Sequence, residues 1–447
     1  MIREHHGPRQ VPGTQNTEMT ESTPVRRSLS TYVRRLAAGQ MRAGRDFRLL
    51  WLGQSVSILG DQFYLVALPW LVLSLTGSGL ALGTILLTAT LTKVAFQLVG
   101  GAISDMVSQR KMMIASSAVR ALVCSVLTAL VLSKETQLWH LFIIVALFGM
   151  SDAFFSPAFK AFIPTVVARE DLVVGNSRLS GSALLAMFIG PSLGGLVISA
   201  AGTGTAFGLD TVSFIFVIIC LLLIKCKATV PTADQTAART IGRGRHLLTS
   251  IGEGLRYTFS EPTIRSLVVI TGLVEFAFAG PFTVGLASLA NIKFAGGATA
   301  FGAMLSALGG GLLVGTLIVG SMHAKFSFGK TILFLATALG VGLTLLGFVP
   351  NVVWACVVMA LIGIFGGYSQ VLIATWLQTK SDPQMRGRVM SVVMLSTYGL
   401  TPLSYVLTGA LTSISVSFMF IVTGISLLLA IAIGAIGSSG RALVHSN

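Results

Sequence analysis

The chain reads as an all-α membrane protein, with twelve transmembrane helices arranged as two six-helix pseudo-repeats. Three observations carry that expectation. The composition is 53% hydrophobic and only 11% charged, against about 25% charged in an average soluble domain, and the mean hydropathy is +0.83. Twelve apolar stretches of about 20 residues, each long enough to cross a ~30 Å hydrocarbon core, follow one another in close pairs. Finally, a displacement of 219 positions lays Gly101, Asp105, Arg110 and Lys111 over Gly320, Ala324, Gly329 and Lys330, as two parallel repeats of one bundle would.

In order along the chain, residues 1–47 form a basic N-terminal tail without the apolar core of a secretory leader. Its Arg26, Arg27, Arg34 and Arg35 suit either a basic amphipathic helix on anionic lipid or a plain positive tail that fixes orientation. The first six spans are expected at about 48–75, 79–104, 110–132, 137–161, 174–200 and 204–225. The longest polar interruption, 226–263, holds Pro231, Arg239, Arg243 and Arg245 and reads as a linker. The other six are expected at about 264–292, 297–322, 329–349, 352–379, 386–412 and 413–436, followed by a short tail, 437–447. This divides the chain into bundles of 48–225 and 264–436.

The formal net charge of +15 would suggest nucleic acid in a soluble chain, but the cations are not scattered. Only Lys134 and Lys293 fall in the loops opposite the N-terminus, and only Lys93 and Arg120 fall deep inside spans; the remaining Lys and Arg lie in tails, loops and span ends on the N-terminal side. Such a bias places both termini in the cytoplasm and accounts for the basic character without a nucleic-acid partner. The four cysteines lie within spans or at their ends, which argues against a disulfide framework.

Charged residues inside spans are the candidate functional groups, because an isolated charge at the bilayer centre costs at least ~2.5 kcal/mol. Asp61 lies near the middle of the first span. Lys93 on the second span matches its depth within ~3 Å at 1.5 Å per residue, so the pair is read either as a proton-coupled site or as a structural ion pair. Arg120 and Asp152 make a second depth-matched pair, for which Pro157 favours a brace within a kinked helix. Glu275 on the seventh span has no cation at its depth in the second bundle and suits a proton or a cationic substrate. Asp210 is expected at the interface, near the outer end of span six. In the loop after span two, Asp105 with Arg110 and Lys111 reads as a charge cluster bracing the cytoplasmic ends of neighbouring helices; the alternative is that the two cations only enforce topology.

Gly101, Asp105, Arg110 and Lys111 together resemble the signature loop of the major facilitator superfamily, over roughly residues 46–436. Within it, Gly60-Asp61-Gln62-Phe63, Ser151-Asp152-Ala153-Phe154 and Met385-Arg386-Gly387-Arg388 are similar to the bacterial branch of enterobactin and macrolide exporters. Gly190-Pro191-Ser192-Leu193-Gly194-Gly195 is similar to the core of that superfamily's antiporter motif. The resemblance implies a non-enzymatic, multi-pass protein of the cell membrane, a monomer without cofactor or metal. Its partners would be the lipid bilayer, protons and a small amphipathic molecule expelled by alternating access. A lipid flippase on the same scaffold, or a non-transporting receptor, are the rival readings. Enzyme motifs are lacking: Phe326-Ser327-Phe328-Gly329-Lys330-Thr331 ends like a phosphate loop, but the required earlier glycine falls at Ala324.

Overall fold

The computed structural model describes residues 44–104, 107–225, 256, 260–321, 328–380, 392–393, 395–397 and 399–436. Every regular element among them is helical. A first group comprises α1 Arg45–Thr76, α2 Gly79–Ser104, α3 Gln109–Leu132, α4 Leu138–Val166 and α5 Leu172–Leu223. A second comprises α6 Pro262–Gly280, α7 Leu286–Lys293, α8 Gly297–Ser321, α9 Phe328–Leu346, α10 Val352–Lys380, α11 Thr401–Thr412 and α12 Val416–Ile436. Among the described residues, ten segments are long and apolar enough to cross a membrane.

The helices end where local chemistry ends them. Gly77 closes α1 at φ 61°, its N–H reaching the Leu73 carbonyl, a left-handed cap that a residue without Cβ adopts freely. The 52 residues of α5 would run ~78 Å if straight, more than twice the bilayer core. At φ 81° and ψ 167°, Gly202 breaks this helix into two arms, the expected spans five and six. The expected span seven is interrupted: α6 passes through a π turn, Pro281–Gly285, into α7. Proline cannot donate to the helical ladder, and Ser404 of α11 enters it one residue earlier. Its Oγ accepts from the Gly280 N–H at 2.8 Å and donates to the Phe276 carbonyl at 2.5 Å, replacing the bond those two groups would otherwise form.

The two groups meet toward the end of the molecule that carries the turns near residues 77, 295 and 414. There Gly79 lies beside Thr412, Gly409 against the backbone of Gly79 and Leu80, and Gly297 under the Trp70 ring. One continuous core, including Val66, Phe207, Phe301 and Phe420, joins both groups. A separate cluster, Leu267, Ile332, Leu377 and their neighbours, belongs to the second group alone.

Contact between α5 and α8 runs from Ser199, bonded to Thr299 at 3.1 Å, through Ser192, whose N–H reaches Ser306 Oγ at 2.9 Å, to the Met187 carbonyl against Gly309. Pro191 explains the last approach. Its missing N–H leaves the Met187 carbonyl without a helical donor, and Gly309 presents a bare Cα to that oxygen.

Candidate functional site

Three helices of the first group build an ion cluster around a buried arginine. α2 and α4 come close because Gly149 faces the Ala89 carbonyl and Gly100 faces that of Ala153, with no room for a Cβ at either glycine. That approach puts Lys93 beside Asp152, Nζ to Oδ2 2.6 Å. The other carboxylate oxygen of Asp152 accepts from Arg120 of α3. Arg120 is 4% exposed. Its guanidinium lies 5.3, 4.9 and 5.7 Å from the Phe148, Phe155 and Phe214 rings, and its Nε has no hydrogen-bond partner. In a low-dielectric cage of aromatic faces, the charge is balanced by Asp152 and by ring quadrupoles.

The expected Arg120–Asp152 pair is therefore present, but the expected Asp61–Lys93 pair is not. Lys93 belongs to Asp152. Depth matches in both cases; the rotation of α2 about its axis turns Lys93 toward α4. Asp61 lies within electrostatic reach of Arg120, Asp152 and Lys93 without pairing with any of them. One turn further along α1, Tyr64 stacks on Phe148 at 4.5 Å.

A further carboxylate, expected at the interface, is buried beside this cluster instead. Asp210, on the second arm of α5, is 0% exposed. Cys124 Sγ donates to its Oδ2 at 3.4 Å and Ser213 Oγ to its Oδ1 at 3.3 Å, and it is within electrostatic reach of Asp61. Asp210 packs directly on Gly60, where a built Cβ would sit 2.6 Å from Oδ1. The signal is available in Gly202: eight residues of helix from that break put Asp210 ~12 Å inside the arm, away from any interface.

Glu275 is elsewhere. It lines a cavity of about 570 Å³ bounded by α6, α8, α9, α10, residues 393 and 397, and Leu184 and Met187 of α5. None of the cluster residues Asp61, Lys93, Arg120 or Asp152 lines it, so the structure separates the expected site residues into two places.

The glycine motif of α5 lies at a three-helix junction. Gly190 faces the Gln62 side chain, Gly194 lies against Phe63, both on α1, and Gly195 abuts Ala298 and Thr299 of α8. Of the loop motif, Gly101 ends up in the last turn of α2, while Asp105 lies outside the described residues. Arg110 donates to the Leu221 and Leu222 carbonyls at 2.7 and 2.9 Å. It thereby caps the last turn of α5, where a cation also complements the helix dipole. Lys111 is exposed in the first turn of α3.

Solved structures of the same shape are membrane transporters. The nucleoside transporter NupG superposes with a TM-score of 0.68 at 12% identity, covering 88% of this chain and 100% of that one. A bacterial homologue of the iron transporter ferroportin in the inward-facing state gives 0.67 at 18%, covering 87% and 98%.

These structures share the chain's fold; its family is shown by sequence. Residues 41–438 match the transmembrane secretion effector family, a group within the major facilitator superfamily, and the chain belongs to it. Curated relatives include the multidrug efflux pump Tap of Mycolicibacterium fortuitum, 26% identical over 79% of this chain and 85% of that protein. The macrolide efflux protein A of Streptococcus pyogenes is 24% identical over 87% and 94%. The enterobactin exporter EntS of Citrobacter koseri is 25% identical over 77% and 79%.

Proposed function

We propose that this protein is a proton-driven exporter of small amphipathic molecules, working by alternating access in the cell membrane as a monomer with both termini in the cytoplasm. In this reading the chain crosses the membrane twelve times. Residues 48–225 and 264–436 are its two halves, 226–263 their cytoplasmic linker, and the contacts described above close its outer face. Arg110, with Lys111, Asp105 and Gly101, braces the cytoplasmic ends of the helices that must part.

The observation that carries the proposal is the cluster of Lys93, Arg120 and Asp152 with Asp61 and Asp210 close by. Two cations paired to Asp152, with two more carboxylates within electrostatic reach, form an arrangement whose charge changes with one proton. A proton on Asp61 removes a negative charge beside Arg120 and Lys93 and leaves Asp152 as their principal counter-ion. The balance among α1, α2, α3 and α4 then differs between the two protonation states, and a ligand or conformation favouring one state shifts the other. Cargo that binds the deprotonated form more tightly is carried out as protons enter.

Everted membrane vesicles containing the wild type or Asp61→Asn, energised and then treated with a protonophore, test this. The wild type is expected to accumulate cargo until the protonophore is added, and the variant to lose energised accumulation while still exchanging cargo across a concentration gradient. Equal energised uptake by both, or uptake indifferent to the protonophore, would remove Asp61 from the coupling step.

A further inference from the structure

We infer that the cavity holding Glu275 is the cargo site, and that its cargo is a lipophilic organic cation carrying a single positive charge. This rests on the export reading for its purpose, but the chemistry comes from the walls. The cavity measures about 570 Å³ and is lined overwhelmingly by aliphatic side chains; no Lys, Arg or His lines it, and Glu275 is its one charged residue among the described residues. That size lies within the ~300–1,000 Å³ range of small-molecule sites. That is far more than an inorganic ion or an amino acid fills, and suits a multi-ring organic molecule.

The polar groups in the wall narrow the class further. The Ser369 and Thr397 hydroxyls donate to carbonyls of their own helices, Gly366 at 2.9 Å and Val393 at 3.0 Å. The Thr271 hydroxyl, one turn from Glu275 on the same helix, is buried and has no partner. Among the described residues no cation lies within ion-pair distance of Glu275. The cavity therefore offers one carboxylate, one unspent hydroxyl at Thr271, the Gln370 amide and the Phe278 ring. An anion would be repelled by Glu275. A neutral apolar molecule would leave the carboxylate desolvated against its surface, and a dication would carry one charge with no counter-ion. One delocalised positive charge on an apolar body matches the carboxylate and gains from Phe278.

Leu184 and Met187 make this more than a pocket within the second group. They sit on α5 next to the last α5–α8 contact, the Met187 carbonyl against Gly309. Any relative movement of α5 and α8 reshapes the cavity.

The test is binding of radiolabelled tetraphenylphosphonium to the purified full chain in detergent, with triphenylphosphine oxide as the neutral analogue and tetraphenylborate as the anionic one. Wild type is expected to prefer the cation over both. Glu275→Gln should weaken cation binding by about ten- to a hundredfold and leave the neutral analogue unchanged, which also reports an intact cavity; Glu275→Asp should restore part of the loss. Cation binding that survives Glu275→Gln, a neutral analogue bound as tightly as the cation, or no cation binding by wild type overturns the inference.

Vesicle transport of the same probe separates the two proposals. Glu275-dependent binding without energised uptake would leave the site standing and defeat export. Energised uptake indifferent to Glu275 would leave export standing and defeat the site.

Discussion

The ion cluster of the first helix group and the cavity of the second treat buried charge in opposite ways. Around Arg120 the protein supplies its own counter-ion, Asp152, and three aromatic faces. Around Glu275 it supplies none among the described residues. A compensated cluster holds helices in register and gives way only when a charge changes; an uncompensated carboxylate costs stability until something else neutralises it. Under the two proposals above, coupling would fall to one group and recognition to the other.

The largest effect that would break this contrast comes from the cluster. Asp152→Asn leaves Arg120 buried without its counter-ion and should cost ~3–5 kcal/mol, read as a lowered thermal midpoint in detergent; adding Arg120→Met should recover most of it. If Asp152→Asn unfolds no earlier than wild type, the cluster is not a structural anchor.

Next comes the wall of the cavity. Gly363 of α10 meets the Leu308 carbonyl of α8, and its neighbour there is Gly311 at 2.9 Å from a built Cβ. Gly363 itself does not line the cavity, but Gly363→Val should cost about 1–3 kcal/mol through overpacking and push apart α8 and α10, which carry cavity residues Leu308, Leu312, Ile362 and Gly366, altering probe binding without touching Glu275. Smaller still is Lys93→Met. Lys93 is 46% exposed, so solvent screens its pair with Asp152 and the loss should stay under ~1 kcal/mol, measured by the same unfolding midpoint. The smallest shift sharpens the comparison most. With no partner to lose among the described residues, Glu275→Gln should leave the midpoint unchanged or raise it slightly, whereas neutralising Asp152 or Lys93 alone lowers it.

Helices and their approximate places were legible because twenty-residue apolar runs have one outcome in a bilayer. The charged residues were legible too, since each is expensive enough to stand out from its surroundings. Depth can be counted along a helix, which is why Arg120 and Asp152 match. Rotation about a helix axis cannot. Lys93 has the same depth relation to Asp61 and to Asp152, and the glycines at 100 and 149, which pull α2 against α4, decide between them. Asp210 escapes its expected place for a different reason: a two-residue uncertainty in the turn at Gly202 rotates a residue by more than half a helical turn. The cavity is invisible in the chain because its walls come from six segments whose aliphatic residues look like any others.

Along the seam between α5 and α8, glycines at 195, 302 and 309 lie against carbonyl oxygens of the facing helix, and the side chains that cross it are mostly small hydroxyls. Surfaces without teeth have little to disengage. One helix can tilt over the other in small increments, trading one weak Cα–H···O contact for the next, where meshed leucines would have to climb over each other together. In the alternating-access reading proposed above, the seam would serve as a bearing, and a single methyl group added at Gly302 or Gly309 would be grit in it.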